Sequence, residues 1–290
     1  MNTFSALTVD KLEVCYRCSL AFFDTLEAFQ EIETEGFKLE PMTNSSNTVI
    51  YTLIYRGNLI WEHCFGTVTI RLAQEYPNDD YRYLWITVAN KALYSCDDQA
   101  YIREILRQCE ATFNLSVNNI TKYELAMDAE ANLGSIINNG YTNPDVTPIV
   151  VGKAYEDGVF IPSVTREIWG SKTSPMLVHW RIKGSETKFQ MYCYDKKQEI
   201  EHSGKNYIKE YYNRQHFTHF WRLEIRVWKE NMQQFIAYKN ISYETLLDDY
   251  MFIDEGKQQI MEYFSGRLMR FRFNRNYIPS VYEYICSRLD

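Results

Sequence analysis

Residues 221–228 read Trp-Arg-Leu-Glu-Ile-Arg-Val-Trp, an unbroken alternation of apolar and charged side chains. Only an extended strand sorts such a series onto two faces, because side chains repeat every two residues in a strand and every 3.6 in a helix. The same period recurs elsewhere. Within Met176–Lys183, Met176, Val178, Trp180 and Ile182 oppose His179, Arg181 and Lys183. Within Lys188–Tyr194, Phe189, Met191 and Cys193 oppose Lys188, Gln190, Tyr192 and Tyr194. Within Tyr123–Asp128, Tyr123, Leu125 and Met127 oppose Glu124, Ala126 and Asp128. Strands of this kind predict an antiparallel sheet with one face on a core and the other facing water.

The rest of the chain fills in around that sheet. Val9–Glu35 carries spaced apolar residues and many acids, and reads as a solvated helix or two. Thr48–Arg56 and Leu59–Leu72 are β-branched and aromatic, split by Gly57-Asn58, a hairpin signal. Tyr83–Ala89 reads as a further strand, and Asp97-Asp98 as the cap of a helix running to about Phe113. Asn138, Asn139, Gly140, Asn143 and Pro144 read as a loop, Val151–Tyr155 as a strand and Gly184-Ser185 as a turn. Beyond Asn231 the pattern turns helical, through Met232–Lys239, Tyr243–Phe252 and Lys257–Phe264, and ends in a basic tail. The expected class is α+β with a mostly antiparallel sheet and flanking helices. It divides into an N-terminal α+β part (1–115), a core sheet (116–232) and a helical, basic C-terminal part (233–290).

What the polar faces hold narrows the chemistry. An ordinary solvent face favours Lys, Glu and Thr. These faces gather Tyr192, Tyr194, His179, four bases (Arg181, Lys188, Arg222 and Arg226) and the isolated carboxylates Asp128 and Glu224. Two carboxylates on different strands can hold a hard cation, Mg²⁺ or Mn²⁺, through oxygen. Such a cation polarises a phosphate. A tyrosine hydroxyl is a poor nucleophile at neutral pH, with a pKa of about 10, but neighbouring cations favour its phenolate. Charge is uneven along the chain. Residues 1–150 hold 10 bases and 20 acids, whereas residues 151–290 hold 21 bases and 18 acids. Phosphate contact is therefore expected from the second half, as a local patch.

Several classes are excluded. A charged fraction of 24% with 16% aromatics does not describe a disordered chain. There is no apolar run of membrane-spanning length, and the first twenty residues carry acids where a signal peptide needs bases, so a soluble, cytoplasmic protein without membrane contact is expected. The chain has no P-loop, G-x-G-x-x-G, G-x-S-x-G or H-E-x-x-H motif. Cys15 and Cys18 form one C-x-x-C without a second pair, which falls short of a zinc ribbon, and the 7 cysteines are expected to be reduced and mostly buried.

Four segments in order, YELAMDAEAN (123–132), WGSKTS (169–174), QMYCYDKKQE (190–199) and WRLEIRVW (221–228), resemble the motifs of the Rep-trans rolling-circle replication initiators and the related nickases of mobile elements. That pattern is a strand ending in Asp, a Gly-Ser-x-x-Ser turn, a strand ending Tyr-Asp/Asn-Lys and an Arg-x-Glu strand. The resemblance implies a relaxase/initiator-nuclease-like fold. It also implies a metal-dependent, site-specific single-strand DNA endonuclease that nicks an origin and stays attached to the 5′ phosphate through tyrosine. Such an enzyme initiates rolling-circle replication or transfer of a plasmid or mobile element. Carried over by position, Tyr194 is the nucleophile and Lys196 its catalytic companion. Asp128 and Glu224 are metal ligands or their supports, with Mg²⁺ or Mn²⁺ as cofactor. Lys196, Arg222 and Arg226 contact phosphate, and Gly170 and Ser171 form a turn near the site; Arg181, from the polar face, is a further DNA-contact candidate. Tyr192 shares a face with Tyr194 and is the alternative nucleophile. The implied partners are origin DNA, single-stranded at the nick and duplex nearby, and a host helicase; a homodimer is an assembly the sequence leaves open.

The match has departures. There is no His-hydrophobe-His metal motif; His216 and His219 are three apart and would lie on opposite strand faces. His179 is a candidate third ligand. The segment Ser265–Tyr277 (SGRLMRFRFNRNY) interleaves Arg267, Arg270, Arg272 and Arg275 with Phe271, Phe273 and Tyr277 and holds no acid, a composition that suits phosphate contact and base stacking. Two other readings stand beside the nickase: a non-catalytic origin- or end-binding protein, whose binding would be steeply salt-dependent, and a protein-binding factor using its aromatic surface.

Overall fold

A computed structural model describes residues 5–57, 64–72, 80–95, 99–150, 153–156, 159–162, 164–170, 175–182, 189–212 and 217–289. The strands are β1 (Ser5–Cys18), β2 (Ile32–Glu33), β3 (Phe37–Asn44), β4 (Thr48–Tyr55), β5 (Cys64–Arg71), β6 (Arg82–Val88), β7 (Ser116–Ala129), β8 (Thr147–Val150), β9 (Lys153–Glu156), β10 (Val159–Pro162), β11 (Val164–Gly170), β12 (Pro175–Ile182), β13 (Gln190–Asp195), β14 (Trp221–Trp228) and β15 (Met269–Arg272). The helices are α1 (Leu20–Glu27), α2 (Asn90–Leu93), α3 (Ala100–Thr112), α4 (Leu133–Thr142), α5 (Lys196–Ser203), α6 (Tyr207–Tyr211), α7 (Lys229–Lys239), α8 (Tyr243–Thr245), α9 (Asp254–Gly266) and α10 (Val281–Leu289), with a π turn at Leu246–Tyr250. None is long and apolar enough to cross a membrane.

The expected α+β class with a mostly antiparallel sheet is what the chain adopts. One sheet of 11 strands runs β11-β12-β13-β14-β7-β1-β6-β5-β4-β3-β2, and every pairing described is antiparallel. The alternation in β12, β13, β14 and the end of β7 sorts side chains onto two faces, but the polar face does not all meet water as expected: Glu124, Asp128, Arg222 and Glu224 are buried too. Val178, Trp180, Met191, Cys193, Leu223, Ile225, Leu125 and Met127 are buried on one face. Helices α4, α7, α9 and α10 form the layer over that face. At the other end α1 and α3 cover the strands of the first half. Tyr51 donates to the Leu26 carbonyl at 2.8 Å, and Phe37 packs on Phe113 at 5.8 Å.

Two expectations are corrected. The region read as solvated helix from Val9 onward begins with the long strand β1, which lies between β7 and β6; helix starts only at Leu20, capped by Ser19. Irregularities in the β1–β7 ladder between Val9 and Lys11, Glu13 and Val14, and Cys15 and Tyr16 break the strand's period and hide it. The Asn- and Gly-rich stretch read as a loop is helix α4. Asn132 accepts from the Ser135 amide to start it, and Gly140 faces Phe271 so closely that a β-carbon there would lie 2.6 Å from the ring. The glycine serves close packing instead of a turn. The β4–β5 hairpin pairs as expected, from Thr48 with Arg71 to Ile54 with Cys64. Asn58, Asp97, Asp98, Ser171, Gly184, Ser185 and His216 lie outside the described residues. None of the described cysteines forms a disulfide.

Candidate active site

Register brings the polar faces of separate strands into rows. Tyr194 on β13 lies opposite Arg222 on β14, which lies opposite Asp128 on β7. The next row is His179, Tyr192, Glu224 and Ala126; the next is Arg181, Gln190, Arg226 and Glu124. The strand beyond β7 is β1, and here its bulge matters. Between Val9 and Lys11 the ladder slips by one residue, and Asp10 is the extra one. Bulges re-aim side chains and leave backbone groups unpaired. Those groups are satisfied from α2 and the start of α3. Asn90 donates to the Asp10 carbonyl at 2.6 Å, while the buried Gln99 amide accepts from the Val9 N–H at 2.7 Å and donates to its carbonyl at 3.0 Å.

Arg222 is the hub. Its side chain is fully buried, and it donates to both carboxylate oxygens of Asp128 at 2.6 Å, to Asp10 Oδ1 at 2.7 Å and to the Tyr94 hydroxyl at 2.7 Å. Tyr94 and Tyr212 complete the shell, donating to Asp10 at 2.6 Å and to Asp128 Oδ2 at 2.7 Å. Burial alone would push the Asp10 carboxyl up, but Arg222, Lys196 and the Tyr94 hydroxyl outweigh it and hold it far below the usual carboxylate range. The folded-state value lies below the unfolded one. The stabilisation is therefore complete above about pH 4 and drains away as pH falls toward the folded value. An Asp10→Asn variant should show a shallower loss of stability in acid, measured by urea unfolding between pH 2 and pH 6.

Tyr194 and Glu224 meet. The half-buried Tyr194 hydroxyl donates to Glu224 Oε2 at 2.8 Å, and Arg226 Nε donates to Glu224 Oε1 at 2.6 Å. Burial first, then the charge of Glu224, raises Tyr194 well above the ordinary phenol value. Burial and then the charge of Asp10 raise Glu224. Lys196, the buried first residue of α5, pairs with Glu199 at 2.6 Å and lies 5.7 Å from the Tyr194 ring; burial and then Arg222 lower its pKa.

Asp10, Glu124 and Glu224 each offer an oxygen, and the three oxygens lie within 4.8 Å of one another. An all-carboxylate donor set suits a hard divalent cation. Glu224 is raised first by burial and only then by the charge of Asp10. Asp128 is not among the three: both its oxygens are taken by Arg222 and Tyr212. Glu124 could have been found from sequence, being four residues before Asp128 on the same strand face. Asp10 could not, because a bulge places it.

The remaining sequence candidates are scattered. Tyr192 turns its hydroxyl to Gln190, and its ring is flanked by His179, stacked at 4.2 Å, and by the Arg226 guanidinium at 4.5 Å. Arg181 is exposed and pairs with Glu167 at 2.7 Å. In the tail, Arg270 is spent on the Gly266 and Ile278 carbonyls at 2.9 and 3.1 Å, closing the loop. Arg272 and Arg275 are exposed on that loop, whose turn is set by Asn274 accepting from the Tyr277 amide at 2.8 Å. Arg267 is exposed, and its guanidinium lies 5.1 Å from the Tyr263 ring.

No family model matches the sequence, and no curated protein matches it. Among solved structures the chain is similar to a rolling circle replication initiator protein from Geobacillus stearothermophilus, at 12% identity over 99% of this chain and 97% of that one, with a TM-score of 0.49.

Proposed function

We propose that this chain is a site-specific DNA nickase that cuts one strand of an origin through a 5′-phosphotyrosine intermediate and so initiates rolling-circle replication or transfer of a plasmid or mobile element. The observation that carries the reading is the Tyr194 hydroxyl held at 2.8 Å on Glu224, beside the oxygens of Asp10 and Glu124. The motif resemblance places its nucleophile on the same tyrosine. Asp10, Glu124 and Glu224 would hold Mg²⁺ or Mn²⁺, which when bound offsets the acids' charge, favours the phenolate and neutralises charge on the scissile phosphate.

The protein's own groups account for the rest. Glu224 takes the phenol proton as the Tyr194 oxygen attacks phosphorus. The bond to the 3′ oxygen breaks, and that oxygen takes a proton from water. The phosphotyrosine keeps the energy of the broken ester, so the reverse attack by a 3′ hydroxyl rejoins the strand. Arg226, with 36% of its side chain exposed, and Arg181, with 47%, present cations on the same face to the DNA backbone, and Arg267, Arg272 and Arg275 do so on the tail. Arg222 is committed to Asp10 and Asp128 and supports the site from beneath. Unwinding would fall to a host helicase.

A non-catalytic origin- or end-binding protein is the second reading, favoured by the proton that Tyr194 holds so firmly. Metal removal separates the two. Purified protein with Mg²⁺ or Mn²⁺ should convert supercoiled plasmid carrying the element's origin to open circle, and EDTA should abolish conversion while leaving DNA retention in place. Retention without nicking under either condition would leave the binding reading standing.

A further inference from the structure

Trp169 is 61% exposed. It pairs with Leu177 on β12, and Leu177 pairs with Tyr194 on β13, so the three side chains stand on one face in one row. Two strand spacings put the indole roughly 10 Å from Tyr194 along the sheet. Of the described residues it is the one tryptophan among the exposed large apolar side chains. Its surroundings say what kind of occupant would suit it. The row below holds Glu167, His179 and Tyr192, with Glu167 paired to Arg181 at 2.7 Å. Among the described residues the apolar shelf is thus one indole and one leucine, too small for the core of a protein interface, which buries about 800 Å² per partner. It matches the face of a single nucleobase, and Arg181 and Arg226 on the same face complement the backbone of the strand that carries it.

We infer that Trp169, seated on Leu177, is a stacking platform for an unpaired base of the strand whose phosphate lies at Tyr194. This rests on the nickase reading and gives a role to Trp169, the residue just before the Gly-Ser turn of the resembled motif. The platform holds the strand extended across β12 and β13, so its contribution is to binding and to the choice of nick position, not to the chemical step.

The test uses the full chain carrying Tyr194→Phe, so that cleavage does not consume the DNA, and measures anisotropy of a labelled single-stranded origin oligonucleotide. Adding Trp169→Ala should weaken binding about 5- to 150-fold, the range one stacked base confers, whereas Trp169→Phe should stay within about threefold of the parent. Replacing successive nucleotides by abasic sites should reveal one position near the nick where Trp169→Ala has no further effect. The urea midpoint of Trp169→Ala should match the parent, as expected for an exposed side chain. Unchanged affinity for Trp169→Ala, or a loss that no abasic position absorbs, overturns the platform while leaving nicking intact. Platform behaviour in a protein that never nicks would instead overturn the nickase reading.

Discussion

Replacing Arg222 with methionine is expected to destabilise the folded chain by about 3–5 kcal/mol, because it strands buried carboxylates without their cation. Arg222 and Asp128 are both fully buried, and Asp10 is 11% exposed at its side chain. Methionine fills much of the volume but returns none of the hydrogen bonds to Asp128, Asp10 and Tyr94. The measurement is chemical unfolding with the denaturant slope checked for constancy. Adding Asp128→Asn to Arg222→Met should recover part of the loss, since a neutral amide costs less to bury than a lone carboxylate. A deficit below about 1 kcal/mol for Arg222→Met would mean that the two acids find protons or water, and that the cluster is not held as described.

Tyr194→Phe is expected to abolish the covalent protein–DNA adduct outright, with Tyr192→Phe retaining it. Geometry separates two tyrosines that strand parity cannot. Tyr194 presents its hydroxyl to Glu224, at the edge of the Asp10, Glu124 and Glu224 oxygens. The Tyr192 hydroxyl is turned to Gln190, and its ring is flanked by His179 and Arg226. An origin oligonucleotide labelled 3′ of the nick, run on a denaturing gel, reads the adduct directly. An adduct in Tyr194→Phe would sink the assignment, and its loss in Tyr192→Phe alone would move the nucleophile two residues back. Tyr194→Phe should cost only about 1 kcal/mol of stability, the usual worth of one hydrogen bond, so loss of the adduct could not be put down to unfolding.

How much of this was legible in the residues depended on whether local period reported tertiary position. The strand at 221–228 is regular in pattern, and its two faces fell out of the alternation although both are largely buried. So did the pairing of Tyr194 and Glu224 with one polar surface. Register is another matter: that Arg222 lies between Tyr194 and Asp128 follows from cross-strand partners, which no single strand encodes. Arg222 read as a phosphate contact because an arginine on a polar face is ordinarily wet. Its partners Asp10, Tyr94 and Asp128 all lie far from it in sequence. Asp10 was hidden twice, in a strand whose ladder slips three times and at the slip itself. Trp169 carried no role in the sequence beyond preceding the Gly170–Ser171 turn, and only the ladder with β12 places it near the end of a strand.

Because β1 lies between β6 and β7, a nascent chain emerging from the ribosome meets its partners out of spatial order. After β6 is made, β1 waits with one open edge until β7 follows, on the order of seconds at about 5–20 residues per second. Asp10 and Asp128 then wait again for Arg222, the cation that balances both. Until β14 is synthesised, closing β7 against β1 would seal two negative charges with nothing opposite them. The final assembly of this sheet is thus tied to completion of the chain's last third, and a ribosome stalled short of residue 222 should expose a protease-sensitive intermediate.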